Sequence, residues 1–172
     1  MFGGTAQTSR STRSQPEIKE RSAREGTTYT RRDGTSTPVD AAFLAWTSGD
    51  LNAMLSAVST KTNNVDRHYL LQCIVEATYK RRSDSKMRTL CIQYSEKHLN
   101  EFPTIAPALK RQCRGVLPHV TTFQHYATVL TEVGKFDQAI EVCGAAIKYG
   151  LHDGTASGFE GRISRILKVR NR

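Results

Sequence analysis

The loop at residues 151–162 reads LHDGTASGFEGR and gathers His152, Asp153, Thr155, Glu160 and Arg162. A histidine beside a carboxylate, with a hydroxyl nearby, is the residue set of general-base and nucleophilic catalysis. The spacing argues against that use. Neighbours on one turn rarely converge on a single substrate atom, and no nucleophile motif accompanies them. An Asp153-Gly154 turn, followed by a Ser157/Glu160 capping pair that opens a helix, accounts for every residue of the loop.

The other chemistry-bearing residues are scattered. The histidines are His68, His98, His119, His125 and His152, with no HExxH among them and no His/Cys pair at zinc spacing. The cysteines Cys73, Cys91, Cys113 and Cys143 form no CxxC, and each sits beside apolar residues in a helical pattern. They read as buried free thiols rather than as a disulfide framework. The glycines at 150, 154, 158 and 161 follow no strand, so they make neither a phosphate loop nor a dinucleotide fingerprint. The expectation is a non-enzymatic chain with no catalytic residue, no metal and no cofactor.

One charged cluster could contact a partner. Lys80, Arg81 and Arg82 follow Tyr79, with Lys86 and Arg88 close behind, and Lys110, Arg111 and Arg114 join them if the helices stack. Such a cluster meets phosphates, with Tyr79 as a stacking group, or else forms a solvated corner between helices. The formal charge is +9, unevenly placed: residues 65–118 hold ten Lys/Arg against five Asp/Glu, whereas residues 119–156 hold two against four. This asymmetry allows an anionic partner without requiring one.

The elements that position these groups are helical. Residues 1–37 are rich in Ser, Thr, Gly and Arg, with Phe2, Ile18 and Tyr29 as the large apolar groups. They read as a disordered basic arm with a transient helix near residues 17–24. A helical domain is expected over residues 38–172. Its first helix carries Ala42, Phe43 and Trp46. Gly49 breaks it, and Asp50 caps a second helix through Leu51, Met54, Leu55 and Val58. A third runs from about 65 to 81. A fourth, capped by Ser83 or Asp84, stops at Phe102-Pro103, and Pro107 opens a short fifth. Thr121 and Gln124 have capping-box spacing for a sixth, Gly134 turns the chain into a seventh, and Gly150 ends that one. No segment shows sustained β alternation. No apolar run reaches the roughly 20 residues that cross a bilayer, and the N-terminus has no signal-peptide core, so a cytoplasmic protein without a membrane partner is expected.

Residues 121–151 carry a more specific pattern. Phe123, Tyr126, Ala127 and Leu130 fall on one face before Gly134; Phe136, Ala139, Cys143, Ala146 and Ile147 follow it. This stretch resembles a tetratricopeptide repeat, a helical hairpin in which Ala127 and Ala139 stand at the small positions of the helix crossing. Leu151 stands where that family commonly has proline. Residues 65–103 resemble a degenerate unit that ends at Pro103, and 104–120 is then an insertion. The resemblance implies an all-α array of short antiparallel hairpins that binds a peptide or helix of a partner or a larger assembly. On that reading Gln124, His125, Thr128 and Thr131 are the exposed polar residues of a groove wall. The alternative is a basic accessory protein that contacts nucleic acid through Lys80, Arg81, Arg82, Lys86 and Arg88.

Overall fold

The computed structural model describes residues 28–172. Within them, strands β1 (Tyr29–Arg32) and β2 (Thr35–Pro38) precede seven helices: α1 (Ala41–Ser48), α2 (Leu51–Ala57), α3 (Asn64–Tyr79), α4 (Ser85–Gln112), α5 (Thr121–Glu132), α6 (Phe136–Lys148) and α7 (Gly158–Arg170). The described chain is mostly helical, as the 3.6-residue periodicity implies.

The first four helices start on short polar side chains. Asp40, Asp50, Asn63 and Asp84 each accept a hydrogen bond from an amide two or three residues on, which satisfies donors the helix cannot. Helix α5 begins differently, and the Thr121/Gln124 capping box does not form. The Thr121 amide donates to Gln72 Oε1 at 3.2 Å and its hydroxyl to Glu76 Oε1 at 2.6 Å, so side chains of α3 cap α5 from across the interface. Ser157 likewise makes no capping bond to α7. Gly134 and Gly150 close α5 and α6 with φ of 77° and 69°; Leu151 N–H returns to Ala146 O at 3.0 Å.

The part of the expected arm at residues 28–37 contributes to an antiparallel hairpin pairing Tyr29 with Pro38 and Arg32 with Thr35. Its Asp33-Gly34 turn has φ of 50° and 78°, the left-handed pair that such two-residue turns require. The remainder of the arm and the helix near 17–24 lie outside the described residues.

The expected break at Phe102-Pro103 and the separate helix at Pro107 are absent: α4 runs through both prolines. Each proline removes a helical hydrogen bond and crowds the carbonyl one turn back, at a cost of about 3 kcal/mol or more. Both point outward, while Phe102, Ile105 and Leu109 on the same stretch are fully buried, and each gains about 1.5–3 kcal/mol by burial. Burial wins. Because α4 is continuous, Lys86 and Arg88 lie at one end of it and Lys110, Arg111 and Arg114 at and just beyond the other. The two basic groups do not join. Arg111 instead pairs with Asp33 of the hairpin at 2.6 Å.

The main core lies among α3–α7 and contains Phe102, Phe123, Leu130, Ala127, Ala139, Ala146 and Phe159; a second lies between α1, α2 and α3 around Met54, Leu70 and Ile74. Helix α3 packs on α4, α5 on α3, α4 and α6, and α7 on α6. Asp66, 1% exposed, ties the hairpin to α1 and α3. It accepts from Arg32 at 2.8 and 3.0 Å, from Trp46 Nε1 at 3.0 Å and from Asn63 Nδ2 at 2.6 Å.

Candidate interaction surface

The four residues expected on the exposed face of α5 are all half-buried. Tertiary packing accounts for this: α5 is clasped by α3 on one side and approached by α7 on the other. His125 stacks on Tyr79 of α3, with ring centroids 3.9 Å apart and planes at 18°. Burial, reinforced by Arg162, Arg82 and His119 against an opposing pull from Glu76, lowers its pKa to about 4, so it is neutral at physiological pH. Gln124 Oε1 is buried without a hydrogen-bond partner among the described residues.

Thr128 and Thr131 line a cleft. It has a volume of about 160 Å³ and lies between α5 and α7, bounded by Glu132, Arg162, Arg165, Ile166 and Val169. Both threonine hydroxyls donate to carbonyls of their own helix, Thr128 to Gln124 O at 2.8 Å and Thr131 to Ala127 O at 2.7 Å. They therefore present acceptor lone pairs to the cleft. Arg162 Nη1 takes that of Thr128 at 3.0 Å. Among the described residues that of Thr131 has no donor. The cleft thus combines an acceptor wall, an apolar side at Ile166 and Val169, and the half-exposed Arg165.

Arg162 is held by the loop that resembled a catalytic set. Asp153, whose side chain is fully buried, accepts from Arg162 Nε at 3.1 Å and from the Thr155 amide and hydroxyl at 3.0 and 2.7 Å. Burial raises its pKa, but these hydrogen bonds outweigh burial and hold it below the usual aspartate value. His152 Nδ1 accepts from the Gly154 amide at 2.9 Å. The loop spends its polar groups on its own turn and on orienting Arg162. Nothing local in the sequence pairs α7 with α5: Arg162 and Thr128 stand 34 residues apart.

The basic corner divides in two. Arg82 grips Glu132 of α5 through three hydrogen bonds of 2.9–3.1 Å, and its guanidinium lies 4.0 Å from the Tyr79 ring centroid. With Arg82 and His125 each about 4 Å from its centre, Tyr79 is covered on both faces. Its ring is not free to stack on a base. Lys80, Arg81 and Lys86 are exposed and Arg88 half-buried; none of the four makes an ion pair among the described residues.

Two further histidines lie deep beneath α5. His68 Nδ1 and His98 Nε2 share a hydrogen bond at 3.0 Å, and His98 Nδ1 meets Thr122 Oγ1 at 2.8 Å, so the chain links α3, α4 and α5. Burial lowers the pKa of His68 to about 4 and that of His98 well below normal, the latter helped by His68 and Arg67. All four thiols are free. Burial pushes Cys73 and Cys143 up to about 11, which keeps them protonated and unreactive. Among the described residues, no three His, Cys, Asp or Glu side chains converge as a metal site would need, and no helix is long and apolar enough to cross a membrane. Comparison with protein-family models, curated proteins and solved structures finds no match to this chain.

Proposed function

We propose that the chain is a non-enzymatic, tetratricopeptide-like interaction module that binds a peptide or helix of a partner protein in the cleft between α5 and α7, in a cytoplasmic setting. The observation that carries this reading is the cleft itself: Thr128 and Thr131 on one wall, Arg165 and Val169 on the other. An extended or helical segment could seat an apolar side chain against Ile166 and Val169 and place a donor on Thr131. Ala127, Ala139 and Ala146 have no exposed surface, as the small residues of a close helix crossing should. Helix α5 packs on both α3 and α4.

Co-purification from the native host at matched salt tests the reading. Thr131→Arg and Val169→Asp should release the partner, and exchange of Lys80, Arg81 and Lys86 for Gln should leave it bound. The reverse result would sink the cleft. A second reading, nucleic-acid contact through Lys80, Arg81, Lys86 and Arg88, draws on their lack of ion pairs among the described residues. It differs in salt response: phosphate contacts weaken steeply as salt rises.

A further inference from the structure

A cleft of about 300 Å³ lies among α4, α5 and α6, separate from the one between α5 and α7. Leu99 of α4 and Val142 and Ala145 of α6 supply its apolar lining, and Tyr126 comes from α5. Glu96 of α4 and Glu141 of α6 each bring a carboxylate. Both side chains are exposed, and neither makes an ion pair among the described residues. Lys97, beside Glu96 in the chain, pairs instead with Glu101 at 3.2 Å. In a chain of formal charge +9, two unmatched carboxylates in one cleft are an exception to the prevailing sign.

Tyr126 is a second, independent sign of a ligand. It belongs to the main core and is 8% exposed. The α5 side chains that hydrogen-bond among the described residues are Thr121, Thr122, Thr128, Thr131 and Glu132. The Tyr126 hydroxyl is not one of them, although a buried phenol ordinarily has a partner. Burial, reinforced by the Glu96 carboxylate, raises its pKa, so the hydroxyl keeps its proton beside that charge. Two carboxylates, a hydroxyl and an apolar lining suit a cation with several donors and an apolar stem. Arginine has both: its planar fork of five N–H donors serves several acceptors at once, and its methylenes can lie on Leu99 and Val142. The chain's own residues 1–27 are a poorer match than a partner, because Glu17, Glu20 and Glu25 are interleaved with Lys19, Arg21 and Arg24.

We propose that the cleft among α4, α5 and α6 recognises an arginine side chain carried by another protein, held by Glu96, Glu141 and the Tyr126 hydroxyl. Heteronuclear NMR titration of the full chain with the capped tripeptide acetyl-Gly-Arg-Gly-amide tests this. The side-chain amides of Asn100 and Gln138, which also line the cleft, should shift and saturate. The citrulline tripeptide has the same shape without the charge and should bind at least about tenfold more weakly. Glu96→Gln, Glu141→Gln and Tyr126→Phe should each weaken binding at least about threefold while the helical circular-dichroism spectrum stays unchanged. No shift at Asn100 and Gln138 overturns the proposal. Equal binding of the citrulline peptide, or binding indifferent to the three substitutions, overturns it as well. Cleft signals that move without peptide when Arg10, Arg13, Lys19, Arg21 and Arg24 are exchanged for Gln would put the chain's own residues 1–27 in the site and overturn the partner.

Discussion

Single residues set this molecule's response to acid. His68, His98 and His125 are held neutral by burial, with folded pKa values below the ordinary value of 6.5. The unfolded chain binds more protons than the folded one in this range, so stability rises with pH from about 4 to 6.5 and is lost as pH falls. The melting temperature should be level above about pH 7 and drop steeply towards pH 4.5. A flat profile would contradict the burial of these rings. Asp66 bears on the same scale. Asp66→Ala leaves Arg32 and Trp46 without their acceptor in a closed site and should cost about 3–5 kcal/mol in chemical denaturation. A loss under 1 kcal/mol would show that the hairpin is not anchored there. The polar residues of this node were visible in the sequence, but nothing local says that a carboxylate at 66 serves an arginine at 32.

At the scale of elements, the helices were largely legible and their ends less so. Asp50 and the 83–84 pair announce helix starts, and Gly134 and Gly150 announce ends, because capping is local chemistry. Composition places residues 29–37 in a disordered arm, although Asp33-Gly34 is a strong turn signal for the hairpin that forms there. Its strands have four residues each, too short to show alternation. The local rule that ends a helix before proline fails at Pro103, where core burial overrides it. The α5–α6 turn gives the sharpest element-scale prediction. Ala139 has no exposed surface and lies where added methylenes separate the helices, so Ala139→Leu should cost about 1–3 kcal/mol. Leu151→Pro should cost about 1 kcal/mol, because proline removes the amide that closes α6 on Ala146 O. Paired urea titrations of the two variants check the order; an Ala139→Leu protein as stable as its parent would place the crossing elsewhere.

At the scale of the whole molecule, the proposed binding site depends on which helix lies beside which. Two of the four expected groove residues, Thr128 and Thr131, do line a cleft; Gln124 and His125 are taken up by packing. The opposite wall is not legible in the sequence, because Arg162 of α7 meets Thr128 of α5 across 34 residues and is oriented by Asp153 of the intervening turn. In the proposed function, a partner is recognised in this cleft and not at the basic corner. Site-specific photo-crosslinking in the native host is the most direct measurement, with the reactive side chain placed at Thr131 in one protein and at Lys86 in another. Recognition in the cleft should give one discrete polypeptide adduct at Thr131, abolished by Val169→Asp, and none at Lys86. An adduct confined to Lys86, or a Thr131 adduct indifferent to Val169→Asp, would contradict it.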